Sequence, residues 1–129
     1  MNLLLDTHAL IWWVQGSQRL GRQARTRIRT TGTQAFISAA SVWEIAIKMG
    51  RGRLALDPPE DWIPELLANG FAPLLITMDH TFAVRHLPMH HSDPFDRMLI
   101  AQAQTEGLTV LTADSHFAAY GISTLDAAH

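Results

Sequence analysis

Five acidic residues stand where the chain is expected to change from one type of secondary structure to another. Asp6 and Asp114 each follow a short apolar run. Glu44 lies within an apolar segment, and Asp93 and Asp96 come just before another. Carboxylates gathered in one place repel one another unless a cation lies between them. Hard cations such as Mg²⁺ and Mn²⁺ take carboxylate ligands and activate water, so these acids predict metal-dependent phosphodiester hydrolysis.

Strands alternating with helices would bring these acids together. Short apolar runs predict strands at 2–5, 34–38, 73–77, 108–111 and 122–125, and the segments between them predict helices at 7–14, 17–30, 42–49, 59–69, 79–86, from 94 onward, and at 115–120. This alternation predicts an α/β fold with a mostly parallel central sheet flanked by helices, in a single domain over residues 1–129. In such a fold the carboxyl ends of the strands meet at one edge, where ligands bind.

Asp6 and Glu44 also have purely structural interpretations. Asp6 is a good N-cap for a helix that begins at Thr7, and this role is compatible with metal binding. Glu44 has capping-box spacing from Ser41, while Ser38 is another candidate cap for the same helix. The apolar residues around Glu44 favour a cation or hydrogen bonds beside it, because burying an unpaired charge is costly.

Asp93 and Asp96 differ in their expected roles. Asp93 followed by Pro94 is a standard helix start, so we expect Asp93 to be the N-cap, with direct metal contact as the alternative. Asp96 lies in the first helical turn, where an acid suits the helix dipole. A metal ligand at Asp96 is the competing interpretation, and the residue types alone leave both open.

Composition excludes several classes of protein. The chain has 129 residues, 47% of them hydrophobic, which suits one domain with a real core. It contains no cysteine, which excludes disulfides, thiolate metal sites and cysteine nucleophiles. No apolar run is long enough to span a membrane. The start MNLLLD lacks the basic region of a secretory signal, so we expect a cytoplasmic protein.

The charges are unevenly distributed along the chain. The net charge is −2, but residues 1–56 have a balance of +6 and residues 57–129 a balance of −8. Arg22, Arg25 and Arg29 recur on one face of the predicted helix at 17–30. This face either contacts nucleic-acid phosphates or is simply solvated. Arg97 is a secondary candidate that contacts a phosphate, pairs with an acid of the site, or forms a surface ion pair.

The histidines and tryptophans give weaker signals. His90 and His91 are expected to lie in a flexible polar loop, with transition-metal binding as the alternative. His116, two residues after Asp114, is expected to be exposed at a helix start. Four tryptophans cannot easily all be fully buried in a small domain, so some are expected at a protein interface. Trp43 is expected in the core.

Four ordered motifs carry a family resemblance. They are LLDT at 4–7, SVWEI at 41–45, DPFDRMLIAQA at 93–103 and LTAD at 111–114. In order and spacing they resemble PIN-domain ribonucleases, particularly the VapC-type toxins of prokaryotic toxin–antitoxin pairs. The resemblance spans essentially the whole chain, and the four motifs together are far more specific than any one of them.

The resemblance implies an Mg²⁺- or Mn²⁺-dependent endoribonuclease that acts as the toxin of a type II toxin–antitoxin system. It also implies an RNA substrate, inhibition by a cognate antitoxin protein, and a homodimer. Carried over by motif, the catalytic acids are Asp6, Glu44, Asp96 and Asp114. Asp6 and Asp96 are expected to bind the metal directly, and the other two directly or through water. Thr112 matches a position where the family often has a hydroxyl near the metal.

Two other interpretations remain open. A haloacid-dehalogenase-like phosphatase also begins with a strand and an Asp, but its second motif Asp is replaced here by His8, and no equivalent Lys motif is present. Its covalent chemistry would therefore lack an acid/base partner. A non-catalytic PIN-like module that binds RNA or protein is the other alternative, and the presence of all four acids argues against it.

Overall fold

The strands form one parallel sheet in the computed structural model, which describes residues 1–54 and 61–129. They are β1 (Asn2–Leu5), β2 (Gln34–Ser38), β3 (Ala72–Leu74), β4 (Thr109–Thr112) and β5 (Thr124–Asp126). The strand order is β3-β2-β1-β4-β5, and each neighbouring pair is parallel. The predicted α/β fold is therefore confirmed.

Helices connect these strands. They are α1 (Thr7–Gln15), α2 (Arg22–Arg29), α3 (Ala39–Gly50), α4 (Trp62–Ala68), α5 (Met78–Ala83) and α6 (Pro94–Glu106). Short 3-10 helices occur at Val84–His86 and Ser115–Tyr120. Within 1–54 and 61–129, no helix has both the length and the apolar character needed to cross a membrane.

The side chains of β1 divide between two cores, one on each face of the sheet. Leu3 and Leu5 belong to a cluster that includes residues of α1, α2 and α3. Leu4 belongs to the opposite cluster, which is built largely from α6 and the 3-10 helix at Ser115–Tyr120. Because both faces are covered, β1 needs no polar alternation, which explains its uninterrupted apolar sequence.

Capping residues stand where strands β1, β2 and β4 pass into helices. The Asp6 carboxylate accepts the Ala9 backbone N–H and starts α1 directly after β1. Ser38 ends β2 and caps α3. Asp114 follows β4 and caps the 3-10 helix at Ser115–Tyr120. These junctions lie at the carboxyl edge of the sheet, so local capping chemistry places two acids at the edge where α/β folds bind ligands.

Several predicted boundaries are wrong. Helix α2 begins at Arg22 rather than at residue 17, because the preceding segment forms a turn in which the Ser17 hydroxyl accepts the Arg19 N–H. Strand β3 ends at Leu74 instead of residue 77, since Thr77 caps α5. The predicted helix start at residue 59 lies outside the described residues.

Candidate active site

Both carboxylate oxygens of Asp6 accept hydrogen bonds, which fix the side chain. Its residue surface is only 3% exposed. Oδ1 accepts the Ala9 N–H at 2.8 Å, and Oδ2 accepts the Thr112 hydroxyl at 2.6 Å. Burial raises the pKa of Asp6, against the lowering effect of these hydrogen bonds. Asp6 is thus the helix cap that its position predicted, and it also faces the other acids.

Thr112 links two of the predicted catalytic acids. Its hydroxyl donates to Asp6 Oδ2 and accepts the backbone N–H of Asp114 at 3.0 Å. The sequence placed this hydroxyl near the metal on the strength of the family resemblance. In the structure the hydroxyl contacts Asp6 directly. It fixes the orientation of the Asp6 carboxylate and, through the Asp114 N–H, the path of the chain after β4.

Glu44 has one carboxylate oxygen paired and one unpaired. The residue is 5% exposed, and its Oε2 lies 2.7 Å from Lys48 Nζ one helical turn later. Within the described parts of the chain, Oε1 is buried and has no hydrogen-bond partner. The predicted capping box does not form, because Ser38 caps α3 and the Ser41 hydroxyl accepts the Thr7 hydroxyl. A buried acceptor without a partner is costly, so Oε1 suits a cation or a water bound to one.

Asp93 and Asp96 occupy the first turn of α6. Asp93 Oδ1 accepts the Asp96 backbone N–H at 2.9 Å, and Pro94 is the first helical residue, so the predicted cap is confirmed. Burial, and then the negative charges of Asp93, Asp6 and Glu44, raise the pKa of Asp96 to about 7, while His91 opposes the shift. This crowding of negative charge is the electrostatic condition that a bound cation would relieve.

His91 joins two of the acids, a position that the sequence did not predict. Its Nε2 lies 2.9 Å from Asp96 Oδ2 and 3.1 Å from Asp114 Oδ2. Its backbone N–H donates to the Tyr120 hydroxyl at 2.8 Å. His91 lies in the loop before α6, as predicted, but its side chain is only 17% exposed and contacts two acids. The signal available was its position two residues before the Asp93 cap, which places the ring beside the helix start.

Asp114 is the most hydrogen-bonded acid of the site. Burial pushes its pKa upward, but hydrogen bonds from the His116 backbone, the His116 ring and His91 outweigh burial, and the pKa lies below its ordinary value. His116 Nδ1 is 2.7 Å from Asp114 Oδ1. His116 is exposed, as predicted, and its ring also contacts Asp114.

Two groups of side chains within the described residues have metal-binding geometry. One is His91, Asp96 and Asp114, and the other is Glu44, Asp93 and Asp96; in each, one ligand atom per residue lies within 4.8 Å of the others. Asp96 belongs to both groups. Asp6 belongs to neither, although its charge acts on Asp96. The oxygen-rich donor set fits Mg²⁺ or Mn²⁺.

Arg97 supports the loop that carries His91. Its Nη1 donates to the carbonyls of Pro88 and His91, at 2.9 and 3.3 Å, and its Nη2 donates to the Leu87 carbonyl at 3.1 Å. Among the described residues it forms no ion pair, so the two ion-pair alternatives are not found, and the phosphate contact stays a prediction. The guanidinium satisfies backbone carbonyls and fixes the entry into α6.

The three arginines of α2 lie in different environments. Arg25 donates to the carbonyls of Ser17 and Leu20 and is partly buried. The Arg29 guanidinium lies 5.2 Å from the centre of the Trp13 ring. Arg22 and Arg29 are exposed. These contacts stabilise the turn and α2, and the expected phosphate contact stays a prediction.

Trp43 lies on the surface and not in the core as expected. It is 59% exposed, and its ring meets Phe95 edge-on with 5.0 Å between centroids. It lines two apolar cavities of about 420 and 330 Å³. We call the exposed apolar residues around these cavities the Trp43 surface; its main members are Trp43, Ile63, Leu67, Leu75 and Met89.

Comparison with known proteins gives a family and a set of similar folds. The PIN domain family model matches residues 3–123. No curated protein matches the chain at a significant level of sequence similarity. The chain is similar to VapBC2 from Rickettsia felis bound to a promoter DNA fragment, with TM-score 0.72, 12% identity, and coverage of 97% of this chain and 98% of that one.

Two further solved structures resemble this chain. DNA-bound VapBC from Salmonella typhimurium has a TM-score of 0.70 and 18% identity, and 98% of each chain is covered. FitAcB from Neisseria gonorrhoeae has a TM-score of 0.65 and 17% identity, with 98% of this chain and 99% of that one covered. At these identities the similarity concerns the fold.

Proposed function

Because the chain belongs to the PIN-domain family, a family of nucleases, we propose that it is an Mg²⁺- or Mn²⁺-dependent endoribonuclease and the toxin of a type II toxin–antitoxin pair. The observation that carries the proposal is the buried Glu44 Oε1, which has no hydrogen-bond partner among residues 1–54 and 61–129 and is grouped with Asp93 and Asp96. Three carboxylates at this separation repel one another, and a bound cation would relieve that repulsion. Because the PIN domain model matches residues 3–123, we reject the haloacid-dehalogenase-like alternative.

Each residue of the site has its own role in the proposed reaction. Glu44 and Asp96 would hold the metal, with Asp114 nearby, and Asp6, oriented by the Thr112 hydroxyl, would stand at the edge of the site. A metal held there would polarise the phosphate and supply an activated water. Lys48 neutralises the second oxygen of Glu44. His91 and His116 hold Asp114 by hydrogen bonds.

The RNA substrate is proposed from the charge distribution together with the family. The basic first half of the chain supplies Arg22 and Arg29, which are exposed and free to approach phosphates. Single-stranded loops are the proposed substrates, because their backbone and bases are accessible. An RNA substrate also implies the cytoplasm as the place of action.

A homodimer and an antitoxin partner are proposed from the Trp43 surface and from the similar structures. Leu75 and Met89 are 69% and 75% exposed, and Trp43 joins the two cavities between them. A contiguous apolar surface of this kind is typical of protein interfaces. The similar structures from Rickettsia felis and Salmonella typhimurium are described as VapBC bound to DNA, which supports a complex with an antitoxin.

RNA cleavage by the purified protein, free of any antitoxin, tests the function. Structured RNAs are incubated with Mg²⁺, Mn²⁺ or EDTA, beside Asp6→Asn and Asp96→Asn. We expect cleavage with either metal and its loss with EDTA or with either substitution. Asp79→Asn is the matched control, because Asp79 is an exposed acid in the first turn of α5.

Two outcomes would contradict the proposal. Cleavage that persists in EDTA or in Asp96→Asn would exclude a metal-dependent reaction at this site. No cleavage of any RNA, together with no metal-dependent rise in melting temperature, would favour the non-catalytic binding module.

A further inference from the structure

We propose that Gln102 is a positioning residue, whose buried amide ties α6 to the start of α3 and thereby keeps Glu44 and Asp96 within reach of one cation. The inference rests on the proposed function and concerns a residue to which the sequence assigned no role. Gln102 is 0% exposed, and so are two polar residues that contribute to the same hydrogen-bond network, Ser38 and His80.

The two ends of the Gln102 amide contact different parts of the chain. Oε1 accepts the hydroxyl of Ser38 at 2.6 Å. Nε2 donates to the Leu75 carbonyl at 3.3 Å and lies 3.4 Å from His80 Nδ1. A carbonyl can only accept, so the amide nitrogen is the end that faces Leu75, and this fixes the orientation of the amide. Gln102 therefore attaches α6 both to the junction of β2 with α3 and to the loop after β3.

Ser38 is the point at which this attachment reaches α3. It is the last residue of β2 and the N-cap of α3, and its Oγ accepts the Ala40 N–H at 3.0 Å. A hydroxyl has one proton to donate, and Ser38 donates it to Gln102 Oε1. The hydroxyl thus begins α3 with its oxygen and holds α6 with its proton.

The hydrogen bond and the two acids lie equally far apart on both helices. Glu44 is six residues after Ser38, and Gln102 is six residues after Asp96. A helix rises about 1.5 Å per residue, so each separation is about 9 Å. Because Glu44 and Asp96 belong to one group of metal-binding geometry, α3 and α6 approach each other at two points and run in opposite directions between them. A turn of about 6° about the first point would move an acid by about 1 Å.

A buried amide is costly unless its polar atoms are bonded, and an apolar side chain of similar size would avoid that cost. Among residues 1–54 and 61–129, no side-chain nitrogen or oxygen of Ser38, Gln102 or His80 is buried without a partner. His80 extends the network, since its Nδ1 accepts the Thr77 N–H at 3.0 Å and its Nε2 lies 2.9 Å from Glu106 Oε1. A fully bonded network in a core fixes one arrangement of the elements that it joins.

The angle between α3 and α6 in the metal-free protein tests the positioning role directly. Residual dipolar couplings of the backbone amides, measured by NMR, report this angle. Gln102→Met keeps the length of the side chain and removes its hydrogen bonds, so we expect the angle to change by about 6° or more, enough to move an acid by about 1 Å. Ser38→Ala, which removes the same hydrogen bond from the other side, should also change it.

Leu108→Ala is the matched control for loss of stability. Leu108 is buried in the core cluster on the same face of the sheet as α6, directly before β4. The substitution leaves a cavity and lowers the melting temperature, but it removes no hydrogen bond of the network. The angle in Leu108→Ala should equal that of the wild type. An unchanged angle in Gln102→Met, or the same change in Leu108→Ala, would overturn the proposal.

Mn²⁺ binding measured by calorimetry tests the consequence for the site. We expect Gln102→Met to weaken Mn²⁺ affinity by about 10-fold, as loss of a supporting group does at metal sites, while Leu108→Ala binds as the wild type does. The double variant Ser38→Ala, Gln102→Met should lose no more affinity than the weaker binder of the two single variants, because both substitutions remove one hydrogen bond.

Two results of the calorimetry would overturn the proposal. One is equal Mn²⁺ affinity in Gln102→Met and the wild type, and the other is additive losses in the double variant. Failure of the wild type to bind Mn²⁺ would instead refute the proposed function, and the angle between the helices would then decide alone whether Gln102 positions them.

Discussion

Asp96→Asn is expected to stabilise the metal-free protein, although it removes a proposed catalytic acid. Burial and three neighbouring acids raise the pKa of Asp96 from 3.8 to about 7. Unfolding exposes the carboxyl and restores its ordinary pKa. Between about pH 4 and pH 7 the native state therefore holds a proton that the unfolded state has lost. Stability of the metal-free protein must fall as the pH rises through this window.

The size of the effect follows from the shift in pKa. One pKa unit corresponds to about 1.4 kcal/mol, so Asp96 lowers the free energy of unfolding by up to about 4 kcal/mol at pH 8, relative to an uncharged residue. At pH 5 it lowers it by about 2 kcal/mol, because the native state keeps a proton that the unfolded state has lost. The Asp96 side chain is 19% exposed, so solvent screens it only in part. Asparagine keeps the shape and has no charge. The variant should therefore gain stability over the wild type, and the gain should be larger at pH 8.

Urea unfolding in EDTA at pH 5 and pH 8 measures this difference. Asp79→Asn, which removes an exposed acid, should change stability by less than about 0.5 kcal/mol at either pH. The reasoning is refuted if Asp96→Asn is less stable than the wild type at pH 8, or if the difference between the two proteins is the same at both pH values. Saturating Mn²⁺ should stabilise the wild type far more than the variant.

Three further substitutions test other contacts. Thr112→Val removes the hydroxyl that holds Asp6, so urea unfolding should show a loss of about 1 to 3 kcal/mol, with Thr112→Ser close to wild type. Arg97→Met leaves the carbonyls of the loop before α6 without donors; a loss of about 2 to 3 kcal/mol is expected, and faster amide exchange at residues 87–91 would support it. Trp43→Ser should shift the purified protein toward the monomer in light scattering, while an unchanged mass would place the interface elsewhere.

The sequence predicted best where structure depends on neighbouring residues. Asp6 after β1 and Asp93 before Pro94 are caps with local signatures, and both were found at the expected positions. The order of the four motifs was enough to predict that Glu44 and Asp96 come close together, because parallel strands share one carboxyl edge.

The sequence failed where distant contacts decide the outcome. His91 contacts Tyr120 and Asp114, which lie 29 and 23 residues away along the chain, and the run of two histidines does not indicate these two partners. Trp43 looks like a core residue because its neighbours are apolar, but Ile45 faces the core and Trp43 lies on the opposite side of α3. The partners of Arg97 were also not predicted, because they are backbone carbonyls of the loop before α6 and no side-chain pattern marks them.

A crystal structure with Mn²⁺, located by its anomalous scattering, tests the central claim most directly. The account predicts one anomalous peak at coordination distance from Asp96, with Glu44 Oε1 in the same coordination shell. A protein that cleaves RNA with Mn²⁺ but shows its peak away from these carboxylates would contradict the account.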